Sequence, residues 1–233
     1  MPLFLQPILK TKLWGGQRLS EFGYQLDNDT TGECWYIIDA EEDAEIVIGT
    51  LAESREEVAN HVQHGTIESI LRYIKVKPGE FYFIPAGTVH TISSGILAYE
   101  TMQSSDITYR LYDFNRQDNQ YNDRPLNIEK ALDVIQYNAP LPNILPESEI
   151  IENHKCTHIV SNDFFTLVKW EISGTLNYMK PREFCLVTVL EGEGQMIVDG
   201  EIFKLTTGTN FILTSEDLDS VFEGDFTLMI SYV

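Results

Sequence analysis

The chain predicts a mostly β protein, two antiparallel barrel or sandwich units with a short helical insertion. Three observations carry this. Residues 79–92 read as a strand, a tight Pro-x-Gly turn and a second strand. From Phe164 onward nearly every run has strand character, broken by Gly-rich turns at 192–194 and 199–200; short strands at regular spacing are the mark of antiparallel barrels and sandwiches. Helical spacing is confined to about 54–75 and to 125–138.

In chain order, residues 1–31 form an irregular lead-in, with Lys12-Leu13-Trp14-Gly15-Gly16 as a turn. Cys34 to Gly49 splits into two strand-like runs around the acidic turn Glu41-Glu42-Asp43. Ser54-x-x-Glu57 is a capping box, Val58 and Val62 share a helix face, and Gly65 ends the segment. Ile67, Ile70, Leu71 and Ile74 continue a helical spacing up to Lys75. Strands resume through Tyr112, and Ile128, Ala131, Leu132 and Ile135 mark a second helix. The proline-rich, acidic stretch 139–153 reads as a linker, which divides the chain into 1–138 and 154–233.

With 233 residues, 43% of them hydrophobic, the chain is long enough to bury a core in each unit. Sixteen basic residues stand against 36 acidic ones, a net charge of −20. That excess argues against nucleic acid and anionic membranes as partners, since both need basic surface. Cys34, Cys156 and Cys185 are odd in number, far apart and without a C-x-x-C, as expected of reduced thiols in the cytoplasm. No signal peptide or membrane-length run is expected from the sequence.

The chemistry concentrates in Gly79 to Ile92. Pro85 fixes φ, Gly87 permits the reversal, and His90 starts the next strand where a barrel lumen would hold its imidazole. Such a histidine is either a metal ligand or a core histidine satisfied by backbone. Glu33, after Gly32, and Arg110, in Tyr109-Arg110-Leu111-Tyr112, join it as candidates. Asp106 is the candidate substrate-binding residue, placed to orient Arg110 or to cap a turn. His61 and His64 sit at a helix end, where solvated or dipole-neutralising roles are expected. The four-residue spacing of His154 and His158 has no other metal signature, and no site is expected there.

The spacing G-x5-P-x-G-x2-H resembles the second motif of cupins, small jelly-roll barrels. Beyond it, Leu13-Trp14-Gly15-Gly16, Glu33-Cys34-Trp35-Tyr36, Pro85-Ala86-Gly87-Thr88-x-His90 and Tyr99-Glu100-Thr101-x-Gln103-x-Ser105-Asp106-x-Thr108-Tyr109-Arg110-x-Tyr112-Asp113 resemble the short bacterial class I mannose-6-phosphate isomerases over nearly the whole chain. The resemblance implies two cupin-like units and a metal-dependent aldose–ketose isomerase acting on a hexose 6-phosphate. It implies one zinc or other divalent ion held by Glu33 and His90, with Arg110 stabilising the enediolate.

One departure bears on activity. The family has several tens of residues between the Trp-Gly-Gly opening and the Glu-Cys-Trp-Tyr strand, including a Val-His-Pro histidine that is a further zinc ligand. Here the opening runs directly to Thr31-Gly32-Glu33, and the nearest look-alike, Lys75-Val76-Lys77-Pro78, has lysine in the histidine's place. The expected consequences are a two-residue metal set and a barrel short of strands, whose exposed edge a homodimer would cover. Lys12, Arg116 and Arg124 are the basic candidates for the phosphate. Two functional readings therefore stand: the isomerase, or a non-catalytic cupin that binds a sugar phosphate or a protein partner.

Overall fold

The computed structural model describes residues 10–14, 24–27, 32–102, 108–113, 125–214 and 219–233, with backbone alone for the first two segments. The chain divides into one compact unit over Thr11–Asn143 and another built from Ile144–Val233. The division falls inside the stretch 139–153 read as a linker.

The first unit places β1 (Lys10–Trp14), β8 (Ile96–Met102), β3 (Glu33–Ala40) and β6 (Phe81–Ile84) side by side in one sheet. A second sheet runs β5 (Leu71–Lys75), β4 (Glu45–Thr50), β7 (His90–Ile92), β2 (Tyr24–Asp27), β9 (Thr108–Tyr112). The described pairings are antiparallel, as in a jelly roll. Alternation along the strands explains the two cores. Trp35, Ile37, Ile84, Ile96 and Ala98 of the first sheet pack with Ile46, Ile48 and Ile92 of the second, filling the space between them. Val47, Val89, Leu71 and Leu111 point the other way and bury Val58 of α1 (Arg55–Gln63) and Ala131, Leu132 and Ile135 beside α2 (Ile128–Val134).

Local chemistry sets the ends of α1. The Ser54 hydroxyl accepts the Glu57 N–H, and Glu57 Oε2 accepts the Glu53 N–H one residue earlier than the reciprocal capping box would have it. The helical spacing at 67–74 is only half realised. Ile67–Ile70 is a single 3-10 turn, and Leu71–Lys75 is strand β5, paired as Ile46↔Ile74 and Val47↔Tyr73. An adjacent edge on β4 satisfies the backbone of this Tyr- and Ile-bearing run, and pairing overrides periodicity.

The second unit is a seven-stranded sheet in the order β10 (Glu147–Ile151), β11 (His154–Ser161), β12 (Thr166–Met179), β16 (Asp219–Tyr232), β13 (Cys185–Val198), β14 (Glu201–Thr206), with β15 (Asn210–Leu213) also on β13. β10 thus lies within the stretch 139–153. Phe222 is fully buried at the centre of an aromatic cluster with Tyr178, Phe211 and Phe226. Across the three long central strands Gly174, Gly224 and Gly194 stand in one row. The Phe226 ring lies over that row: a Cβ on Gly194 would come within 2.4 Å of it. Gly194 and Gly224 therefore admit the ring where a side chain would crowd it.

No helix among the described residues is long and apolar enough to cross a membrane.

Candidate active site

The Pro85–Thr88 turn builds the site from the backbone outward. Thr88 N–H donates to Pro85 O at 3.1 Å, and Gly87 has φ +78°, the left-handed position that a type II turn requires. The chain after α2 clamps the turn. Gln136 N–H donates to Gly87 O at 2.9 Å, and its Nε2 donates to Ala86 O at 2.7 Å. The Thr88 carbonyl is thereby fixed, and His90 Nδ1 lies 2.8 Å from it. A carbonyl only accepts, so Nδ1 carries a proton and Nε2 is the nitrogen presented to the lumen.

Nε2 meets Glu33 Oε1 at 3.2 Å, both side chains about 95% buried. Trp35, two residues along β3 on the same face, sets its ring edge against the imidazole at 5.7 Å between centroids. Two opposed acceptors at this distance need a proton or a metal ion between them. Ligands at about 2.0–2.2 Å from a tetrahedral zinc stand roughly 3.3 Å apart, so the pair fits two adjacent corners of such a site. Among the described residues no third His, Cys, Asp or Glu brings a ligand atom within 4.8 Å of both.

Arg110 stands in register with this pair. His90 and Arg110 are both paired opposite Gln25 of β2, so the three occupy one row across β7, β2 and β9. That puts the backbones of His90 and Arg110 two strand spacings apart, about 9–10 Å. The Arg110 guanidinium donates from Nη1 to Pro125 O at 3.1 Å, and its Nε lies 3.6 Å from Asp113 Oδ1. The backbone is docked as well: Arg110 N–H to Asn127 Oδ1, and Asn127 N–H to Arg110 O. A cation held this way changes little in position as charge develops beside it.

Asp106, Arg116 and Arg124 lie outside the described residues, as does the side chain of Lys12. The other histidines have local partners. His61 Nδ1 contacts Thr66 Oγ1 at 2.9 Å, and His64 Nδ1 contacts Asn60 O at 2.8 Å. His154 is fully buried, accepts the Ser173 N–H at Nδ1 and donates from Nε2 to Thr175 O. Sequence reasoning did not find three supports of the site: the Thr88 carbonyl, the Trp35 edge and Asp113. Asp113 had a signal, lying three residues beyond Arg110.

A mannose-6-phosphate isomerase from Streptococcus mutans is 32% identical over an alignment of 310 positions that spans 99% of this chain and 98% of that protein. The chain belongs to the mannose-6-phosphate isomerase family. The family's cupin-domain model matches residues 154–233. The crystal structure of the mannose 6-phosphate isomerase from Bacillus subtilis superposes with a TM-score of 0.89 at 32% identity, over 97% of this chain and 75% of that one. A zinc-bound mannose 6-phosphate isomerase shares the fold at a TM-score of 0.65 and 13% identity, over 88% of this chain and 67% of its own. The Streptococcus alignment has 310 positions against 233 residues here, so several tens of the relative's residues have no counterpart within this isomerase-family chain.

Proposed function

We propose that this chain interconverts mannose 6-phosphate and fructose 6-phosphate at the lumen of its first unit. The observation that carries the reading is the buried Glu33–His90 pair, spaced like two metal ligands and aimed by the Thr88 carbonyl. Family membership supplies the substrate class.

In the forward direction a proton leaves C2 of the aldose and one is delivered to C1. O2 loses its hydroxyl proton to become the ketone, and O1 gains one to become a hydroxyl. Glu33 and His90 would hold a divalent ion, zinc in this reading, and such an ion would supply Lewis-acid polarisation of the substrate oxygens. Glu33 contributes the anionic ligand, and His90 contributes a neutral nitrogen whose tautomer is set at the other side of the ring. Arg110 places a permanent positive charge, pinned by Asp113 and Pro125, beside the oxygen that becomes negative in the enediolate. Asp106 is the proposed substrate-binding residue. Water or another chain would supply any further ligands, and a homodimer closing the shortened barrel edge belongs to the same proposal.

The test is a coupled assay of fructose 6-phosphate formation from mannose 6-phosphate with zinc present. Expected are turnover that chelator removes and zinc restores, loss of turnover in His90→Ala, and a fall in kcat of roughly 10²–10³ in Arg110→Lys with KM little changed. Folded, zinc-loaded protein that shows no turnover sinks the reading and leaves a sugar-phosphate or protein-binding cupin.

A further inference from the structure

We infer that Glu149, Cys156 and His158 form a second metal site, on the Ile144–Val233 unit, for a borderline-soft divalent cation such as Zn²⁺. The spacing of His154 and His158 along the chain points to no site, and His154 is indeed spoken for by Ser173 and Thr175. What the spacing hides is the neighbouring strand. β10 and β11 pair so that Glu149 stands directly opposite Cys156, and His158 follows two residues on along the same face.

The three donor atoms all lie within 4.8 Å of one another. Cys156 Sγ is 3.7 Å from His158 Nε2, and the same Nε2 is 3.5 Å from Glu149 Oε1. The N···O separation exceeds the 2.7–3.2 Å or so of an N–H···O hydrogen bond, and although the S···N separation suits a weak sulfur hydrogen bond, one nitrogen faces both partners. Both separations match the edges of a tetrahedral zinc site instead. With bonds of about 2.3 Å to sulfur and about 2.0–2.2 Å to nitrogen and oxygen, those edges are roughly 3.6 Å for S···N and roughly 3.3 Å for N···O.

The donors also suit one another chemically. Thiol, imidazole and carboxylate together favour zinc or cobalt over magnesium or calcium, which take oxygen ligands. Cys156 is 2% exposed and anchors the floor, while His158 and Glu149 are 55% and 58% exposed at the side chain. An ion thus has an open path from solvent and a fourth position for water. Glu147, paired opposite His158, adds a further negative charge on the approach. This site is separate from the Glu33–His90 pair, which contains no sulfur.

Cobalt(II) is the probe, titrated into the full, metal-free, phosphine-reduced chain. Thiolate ligation gives a near-ultraviolet charge-transfer band that a histidine–carboxylate pair cannot produce. Expected are such a band in the wild type and in His90→Ala, its loss in Cys156→Ser, and affinity about 10–100-fold or more weaker in Glu149→Ala and His158→Gln. No thiolate band in the wild type overturns the site, as does a band that survives Cys156→Ser and so belongs to Cys34 or Cys185. If Cys156→Ser does not fold, the two exposed positions decide: unchanged cobalt affinity in both variants overturns the assignment.

Discussion

Replacing Glu33 with glutamine keeps the shape of the buried pair and removes its charge, so the variant is expected to gain far less stability from zinc than the wild type. With His90 Nδ1 committed to the Thr88 carbonyl, Nε2 and Glu33 Oε1 oppose each other at 3.2 Å. In chelator a proton takes the metal's place between the wild-type pair, and in the variant the amide donates to Nε2 instead, so the two proteins differ by no more than about 1–2 kcal/mol. With zinc at one hundred times the wild-type dissociation constant, the wild type gains about 2.7 kcal/mol. The variant has lost a direct ligand and binds about 100-fold or more weakly, so the same zinc adds about 0.4 kcal/mol. Zinc is thus expected to stabilise the wild type by about 2.3 kcal/mol more than Glu33→Gln. Urea unfolding followed by tryptophan emission measures both, because Trp35 rests its edge on His90. Zinc held by Glu149, Cys156 and His158 acts on both proteins alike and drops out of the difference. Equal zinc stabilisation of the two proteins refutes the metal-pair reasoning.

Gly87→Ala is expected to destabilise the first unit by about 2–4 kcal/mol, from a left-handed alanine and two weakened hydrogen bonds to Gln136. A Cβ there would meet Val134 O at 2.3 Å, so the turn must leave α2 and carry the Thr88 carbonyl with it; a urea midpoint within error of wild type contradicts this. In the second unit, burial pushes the Cys185 thiol up to about 11 from 9.0 and raises the Tyr178 phenol as well. A folded pKa above the unfolded one gives stability that is present below the unfolded value and lost as pH rises. Unfolding free energy is therefore expected to fall between about pH 9 and pH 11, and a flat profile across that window, measured by urea titration, contradicts the buried thiol–phenol pair.

How much was legible differs between the two units. In the first, residue type and spacing located the Pro-x-Gly turn ahead of His90 and the capped helix at Ser54, because each is a local property of a few consecutive residues, while Glu33 and Arg110 entered through the family resemblance. The stretch 67–75 was not legible, since its apolar spacing suits a helix and only the free edge of β4 made Leu71–Lys75 a strand. The lengths of β12, β13 and β16 were likewise hidden: three glycines that look like breaks stand in one row across them, two of them against the Phe226 ring.

The sequence by itself determined what each strand offers: a histidine after a Pro-x-Gly turn, a glutamate opening one strand, an arginine within another, a cysteine and a histidine two apart. It could do so because side chains alternate along a strand with period two, whatever the strand pairs with. Only the tertiary structure decided which offerings meet. His90 faces Glu33 across two sheets, Arg110 joins the row of His90 through β2, and Glu149 reaches Cys156 and His158 across β10 and β11. Those meetings depend on strand order and register, which are fixed by the burial of whole faces and not by any short run of residues.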